Sequence, residues 1–286
     1  MTASAIGANT LGVLAGCMLF GALAGAVGTF VLARRRALVA DVAGHAALPG
    51  VALAFLAGEA LGLGGRTPWL LLLGGAATAL LAAWCVPALS RLRRIGPDGA
   101  TAVVLAGFFG LGAVLFSIVQ GHPAGSQGGL RTLLFGSAAA MGRAEVVALL
   151  ALATATLALL ILFLRGLTVV AFDEDFARSA GLPVRGLDLL LTLLLVATVV
   201  AGMQMAGIVL VVAMLITPAA AARNLGGRIG RVTAIAAIVG AATAAAGVLA
   251  SRAIAGVPTG AAMTLAATAA FLVTVPYAHF ARGARA

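Results

Sequence analysis

The chain has 286 residues, of which 63% are hydrophobic and 9% charged, and a formal net charge of +10. A water-soluble domain carries roughly 25% charged residues, so this chain cannot cover a surface facing water and belongs in lipid. All eighteen basic residues are Arg and fall between apolar runs, where positive charge sets membrane orientation rather than binding nucleic acid.

Nine apolar runs follow one another, at 11–33, 42–61, 68–89, 100–119, 145–164, 188–202, 206–222, 232–251 and 259–278. Most approach the ~20 residues that cross a ~30 Å hydrocarbon core. The first has no positive segment before it and is too long for a signal h-region, so it reads as a true span. The expected fold is all-α, a polytopic bundle of about nine transmembrane spans, with residues 1–286 forming one membrane domain. Within the first span, Gly21-xxx-Gly25 has the spacing of close helix packing in lipid. Cys17 and Cys85 stand alone in apolar runs and form neither a zinc motif nor a disulfide framework.

After Arg34-Arg-Arg36 comes Asp41-Val-Ala-Gly-His45-Ala-Ala-Leu-Pro49-Gly50. Asp41 and His45 are four apart, so on a helix they share one face. Asp at the centre of a membrane helix costs ~2.5–3.5 kcal/mol, and such a residue usually faces a polar partner or pathway. Carboxylate and imidazole together suit Zn, Mn or Fe ions. The residues alone leave a second reading open, in which Asp41 pairs with Arg34–Arg36 and His45 bonds to a neighbouring helix. In the segment 120–143, where a re-entrant stretch would alter the span count, His122 with Gln120 and Gln127 reads as a solvated outer loop. His279 reads as an interfacial side chain at the last span's end.

The window Phe172-Asp173-Glu-Asp175-Phe176-Ala-Arg178-Ser-Ala180-Gly181-Leu-Pro183 has the signals of a short helix. Asp173 caps it, the acids favour its positive end, and Gly181 and Pro183 stop it. Phe172, Phe176 and Ala180 are left as apolar contacts for another protein, or for the lipid surface if the helix lies on it. Leu189 to Ala222 carries no charge yet would make ~50 Å of helix. Arginines flank it on both sides, so it reads as a hairpin turning near 202–207 with Gln204 at the tip. Met203 and Met205, two apart, point to different faces and make a poor ligand pair. Leu-Ile-Thr217-Pro218 places a proline bend near the end of the seventh run, and Pro258-Thr259-Gly260 opens the last span. With these crossings, fourteen arginines lie on one side and four on the other, which puts the N-terminus outside and the C-terminus in the cytoplasm.

These windows, in this order, resemble the manganese/zinc/iron class of ABC transporter permeases, over about residues 21–271. The resemblance implies a type II importer permease in a bacterial-type cell membrane, carrying a divalent Mn, Zn or Fe ion past Asp41 and His45, with no permanently bound cofactor. It implies three partners: a cytoplasmic ABC ATPase, an extracytoplasmic metal-binding solute receptor, and a second permease chain, identical or different. The cytoplasmic loop at about 165–186 becomes the coupling element, with Phe172, Asp173, Phe176, Ala180 and Gly181 facing the ATPase. Pro49, Gly50 and Pro218 become gating or structural residues. The chain has no GxxxxGK[ST] phosphate loop, which fits nucleotide hydrolysis in a partner and a permease that is not itself an enzyme. Met203-Gln204-Met205 departs from the family pattern in lacking a charged residue. The rival reading is an ion-coupled secondary transporter with an Asp/His relay. An intramembrane enzyme would need a denser polar cluster.

Overall fold

Hydrocarbon offers backbone amides no partners, so a chain this apolar satisfies them within helices. The computed structural model describes residues 8–65, 67–92, 96–121, 143–254 and 256–283, and among them there are helices and no strands. The helices are α1 (Ala8–Ala33), α2 (Ala37–Ala60), α3 (Pro68–Ser90), α4 (Pro97–Gly121), α5 (Arg143–Leu162), α6 (Leu164–Phe172), α7 (Glu174–Ser179), α8 (Val184–Met205), α9 (Ile208–Leu225), α10 (Ile229–Ala253) and α11 (Thr259–Gly283).

Seven helices among the described residues are long and apolar enough to cross a membrane, and the pair α5–α6, bent by 66°, brings the number to eight. By length and composition alone, one fewer helix qualifies among the described residues than the nine spans expected. The difference lies in α9, whose 18 residues rise only ~27 Å and include Arg223 in the last turn. The fifth apolar run also does not end where its hydropathy falls. The helix turns sharply at Phe163 and continues to Phe172, burying Leu167 and Val170.

Small residues set the packing. A Cβ on Gly21 would fall on the carbonyl oxygen of Gly240, and one on Gly25 on that of Ala236, so α1 and α10 run antiparallel with their backbones in contact. Gly16 sits against Met205, the last residue of α8 before the turn into α9, and Gly28 against the Leu215 carbonyl of α9, so α9 leaves that turn parallel to α1. Phe20, Leu23, Val27 and Phe30 of α1 are wholly buried. Of the membrane-length window, 72% is buried in α1 and in α2 but 22% in α4. The first two helices are central; α4 presents most of its surface outward.

The hairpin expected near 202–207 turns at Ala206 and Gly207, the latter at φ +87°. Its direction is fixed by the ends. Asp188 at the start of α8 meets Arg34 and Arg36, and Arg223 near the end of α9 lines a cavity of about 340 Å³ together with Arg35. Asn224 donates a 3.1 Å hydrogen bond to Thr274 of α11 at the same end. The side chain of Gln204 lies outside the described residues.

Leu at position 25 would have to displace the α10 backbone, and overpacking of this kind costs about 1–3 kcal/mol. Gly25→Leu should therefore lower the thermal unfolding midpoint of the detergent-solubilised chain measurably. An unchanged midpoint would mean that α1 and α10 are not in backbone contact.

Candidate functional site

The helix α2 begins without a side-chain cap: the Arg36 carbonyl accepts from the amides of Val39 and Ala40 at 3.0 and 3.4 Å. Asp41 and His45 follow on one face. Asp41 Oδ1 and His45 Nε2 stand 3.5 Å apart, with side chains 41% and 22% exposed. The His45 ring meets Phe109 of α4 edge-on, centroids 5.2 Å apart. His45 Nδ1 is buried and has no hydrogen-bond partner among the described residues. Buried hydroxyls fare differently: Thr29, Thr101 and Thr198 each donate to the carbonyl four residues back.

This spacing suits a chelated ion. Two donors each about 2.1 Å from one metal at the tetrahedral angle stand about 3.4 Å apart. The set is incomplete within one chain, because no group of three or more His, Cys, Asp or Glu able to hold a metal occurs among the described residues.

The competing reading of Asp41 assigned its charge to the arginine turn, but Arg34 and Arg36 are engaged elsewhere. Arg34 Nη2 lies 2.8 Å from Asp188 Oδ1 and 2.6 Å from Glu174 Oε1, and Nη1 donates to the Val170 carbonyl at 2.7 Å. Arg36 holds both Asp188 oxygens, at 2.7 and 3.1 Å. Asp41 is left with His45 as its ion-pair partner among the described residues. His45 has the Phe109 ring rather than a hydrogen bond on the neighbouring helix.

Pro49 lies inside α2 and is buried. It has no N–H to give to the carbonyl four residues earlier, that of His45, so the helical ladder is interrupted one turn beyond the imidazole. A Cβ on Gly112 of α4 would come within 3.0 Å of Pro49 Cδ, and one on Gly50 would fall on the Gly74 carbonyl of α3. Pro49-Gly50 is thus gripped between two helices. Pro218 is likewise inside a continuous helix, α9, and cannot bond the Met214 carbonyl.

The short helix appears as its caps require. Asp173 accepts from the Phe176 amide at 2.9 Å, and Arg178 pairs with Glu174 and Asp175 at 2.9 and 2.6 Å. At the other end the Leu182 amide returns to the Ala177 carbonyl and the Gly181 amide to that of Arg178, a double closure that needs Gly181 at φ +75°. Ala177 is buried beneath, while Phe172 and Phe176 are 73% and 60% exposed. Ala180 is exposed as well. Two unpaired aromatic faces therefore stand beside a rigid, charged turn.

Residues 8–278 match the ABC 3 transport family. The chain belongs to that family. It is 41% identical over 267 residues to the manganese transport system membrane protein MntC of Bacillus subtilis, covering 93% of this chain and 60% of that relative. The zinc transport system membrane protein TroC of Treponema pallidum is 32% identical over 263 residues, 92% of this chain and 87% of its own length. Among solved structures, PsaBC from Streptococcus pneumoniae in complex with Fab superposes with a TM-score of 0.83 at 30% identity, over 94% of this chain and 91% of that one.

In this ABC 3 family member, a multi-pass membrane protein, the secondary-transporter reading loses its ground. Met203 and Met205 are buried in the core, Met205 against Gly16, and serve packing. His122 and Gln127 lie outside the described residues, as does the side chain of His279, whereas Gln120 is exposed at the end of α4. Sequence reasoning passed over Asp188 and gave Glu174 only a role at its own helix end. The available signal was an acid opening an apolar run three residues after Arg185, with three arginines elsewhere in need of anions.

Proposed function

We propose that this chain is the membrane-spanning permease of an ATP-driven importer of divalent transition-metal ions, Mn, Zn or Fe. The observation that carries the reading is the Asp41–His45 pair: Asp41 Oδ1 and His45 Nε2 at chelating distance, in a helix whose only other charged residue is Glu59, near its far end. The relatives, manganese and zinc transport system membrane proteins by name, point to the same class of ion.

A partly exposed carboxylate among apolar side chains needs cover from lipid. A second permease chain supplies it, and two donors from each chain give about four ligands. Residues 1–286 act as one membrane domain. Pro49, Gly50 and Pro218 shape the helices on either side of the path. A cytoplasmic ABC ATPase docks on α7 through Phe172, Phe176 and Ala180, which Asp173 and Gly181 hold in place, and a solute receptor delivers metal from the other face. The arginine-rich end faces the cytoplasm, which sets the N-terminus outside.

The metal assignment is tested in cells or in proteoliposomes. Asp41→Asn and His45→Ala should each reduce uptake of Mn or Zn more than tenfold at an unchanged amount of inserted chain. Uptake at the parent rate in both would move the path to another helix. For the docking surface, Ala180→Arg sets a charge among the exposed aromatics and should cut co-purification of the ATPase at least tenfold. Undiminished co-purification with full metal-stimulated hydrolysis would remove α7 from the interface. Orientation is read by single cysteines at Arg228 and Arg252 in a background lacking Cys17 and Cys85. In intact cells an impermeant maleimide should label position 252 and spare position 228, and the opposite pattern reverses the topology.

A further inference from the structure

The cluster around Arg34 does more than anchor a turn. Its guanidinium is 9% exposed and touches three elements at once: the Val170 carbonyl of α6, Glu174 of α7 and Asp188 of α8. Asp188 in turn holds Arg36 with both oxygens, and Arg36 is the residue on which α2 begins. A continuous set of charged contacts therefore runs from Glu174, in the first turn of α7, through Arg34 and Asp188 to the residue preceding the helix that carries Asp41 and His45.

Three features make this set a transmitter rather than a decoration. The short helix α7 is closed at both ends, so a push on it displaces it as a unit. Arg36 stands five residues before Asp41 in an uninterrupted helix, so a shift of its anchor moves the metal-site helix axially. Between Arg34 and Arg36, Arg35 sits at φ +55°, a left-handed conformation uncommon for any residue but glycine. Such strain persists where the surroundings over-determine it. Here charged contacts fix the residues on both sides of it.

We infer that Arg34 and Asp188 are positioning residues that join α7 to the metal-site helix α2, passing displacement of the docked helix to Asp41 and His45. The inference rests on the reading of α7 as the ATPase-docking helix and of the pair as the metal site. Lying between two sites is not in itself coupling, so the test measures the link apart from either end.

The complete transporter, purified with its ATPase and reconstituted in proteoliposomes, is compared with its Asp188→Asn and Arg34→Gln variants. Metal transported per ATP hydrolysed, basal hydrolysis, ATPase co-purification and equilibrium binding of Mn²⁺ or Zn²⁺ without nucleotide are recorded. Both variants should keep docking, basal hydrolysis and metal binding within about twofold while transport per ATP falls tenfold or more. The double variant should be no worse than either single, because both break one link. Unchanged transport per ATP in both would overturn the inference, and so would metal affinity falling by the same factor as transport, which marks a static support. If Arg34→Gln lowers the amount of folded chain, Asp188→Asn decides alone, since that side chain is one-third exposed. A parent complex that neither moves metal nor hydrolyses ATP in response to it would instead defeat the reading of function beneath the inference.

Discussion

Lipid returns no hydrogen bonds, and most of this molecule follows from that. Each apolar run becomes a helix because only helix satisfies its amides internally. Threonine hydroxyls inside those helices turn back to their own backbone, as Thr156, Thr192, Thr233 and Thr264 do at 2.7–3.0 Å. Charges are displaced to the ends, where Arg34, Arg36 and Arg178 find carboxylates. With water absent, hydrophobic burial does not drive one helix against another, so close backbone approach at Gly21, Gly25 and Gly28 does that work. Against this background an imidazole nitrogen that is buried and without a partner among the described residues is conspicuous, and it belongs to the helix that also carries Asp41.

Local signals were the legible ones. The caps of α7 rest on side chains adjacent in sequence, Asp173 to Phe176 and Gly181 beyond Ser179, and both ends formed where those residues stand. The α8–α9 hairpin was readable because an uncharged stretch well over the length of one crossing lay between arginine groups. What escaped depended on tertiary partners. No proline marks the 66° bend at Phe163. It is held by contacts remote in sequence, including the bond from Arg34 to the Val170 carbonyl. The shortness of α9 escaped by a similar route, since hydropathy reports apolar length but not where a helix starts, and Gly207 cuts α9 to 18 residues.

The arginine turn shows the same limit from the other side. Its excess of positive charge was readable as a topological signal, and three arginines beside Asp41 made pairing with that acid a fair expectation. Coulomb attraction favours whichever carboxylate the fold brings nearest, and the fold brings Asp188 and Glu174, from 140 and more residues away. The outcome is chemically useful. On the proposed reading, with Arg34 and Arg36 paired to other acids, the Asp41 carboxylate is available to a cation instead of being held by the arginine turn.

If Asp41 and His45 hold the ion as proposed, that freedom accounts for a site of only two donors in one chain. A single chain that surrounded a metal with four protein donors would resemble a structural site, closed and slow to release. Two donors on one helix, 3.5 Å apart, grip an ion only while something else completes the shell. The helix that bears them is tethered to Asp188 at Arg36, the residue just before it, and interrupted at Pro49, where α3 and α4 close around the neighbouring Gly50 and the proline itself. Between these two points lie about three turns of helix with Asp41 and His45 on one face. Displacing the tether while the proline end stays gripped would change the distance from each donor to its complement across the site. A metal held by such a partial shell is released by a small movement, which is what passage, as distinct from storage, requires.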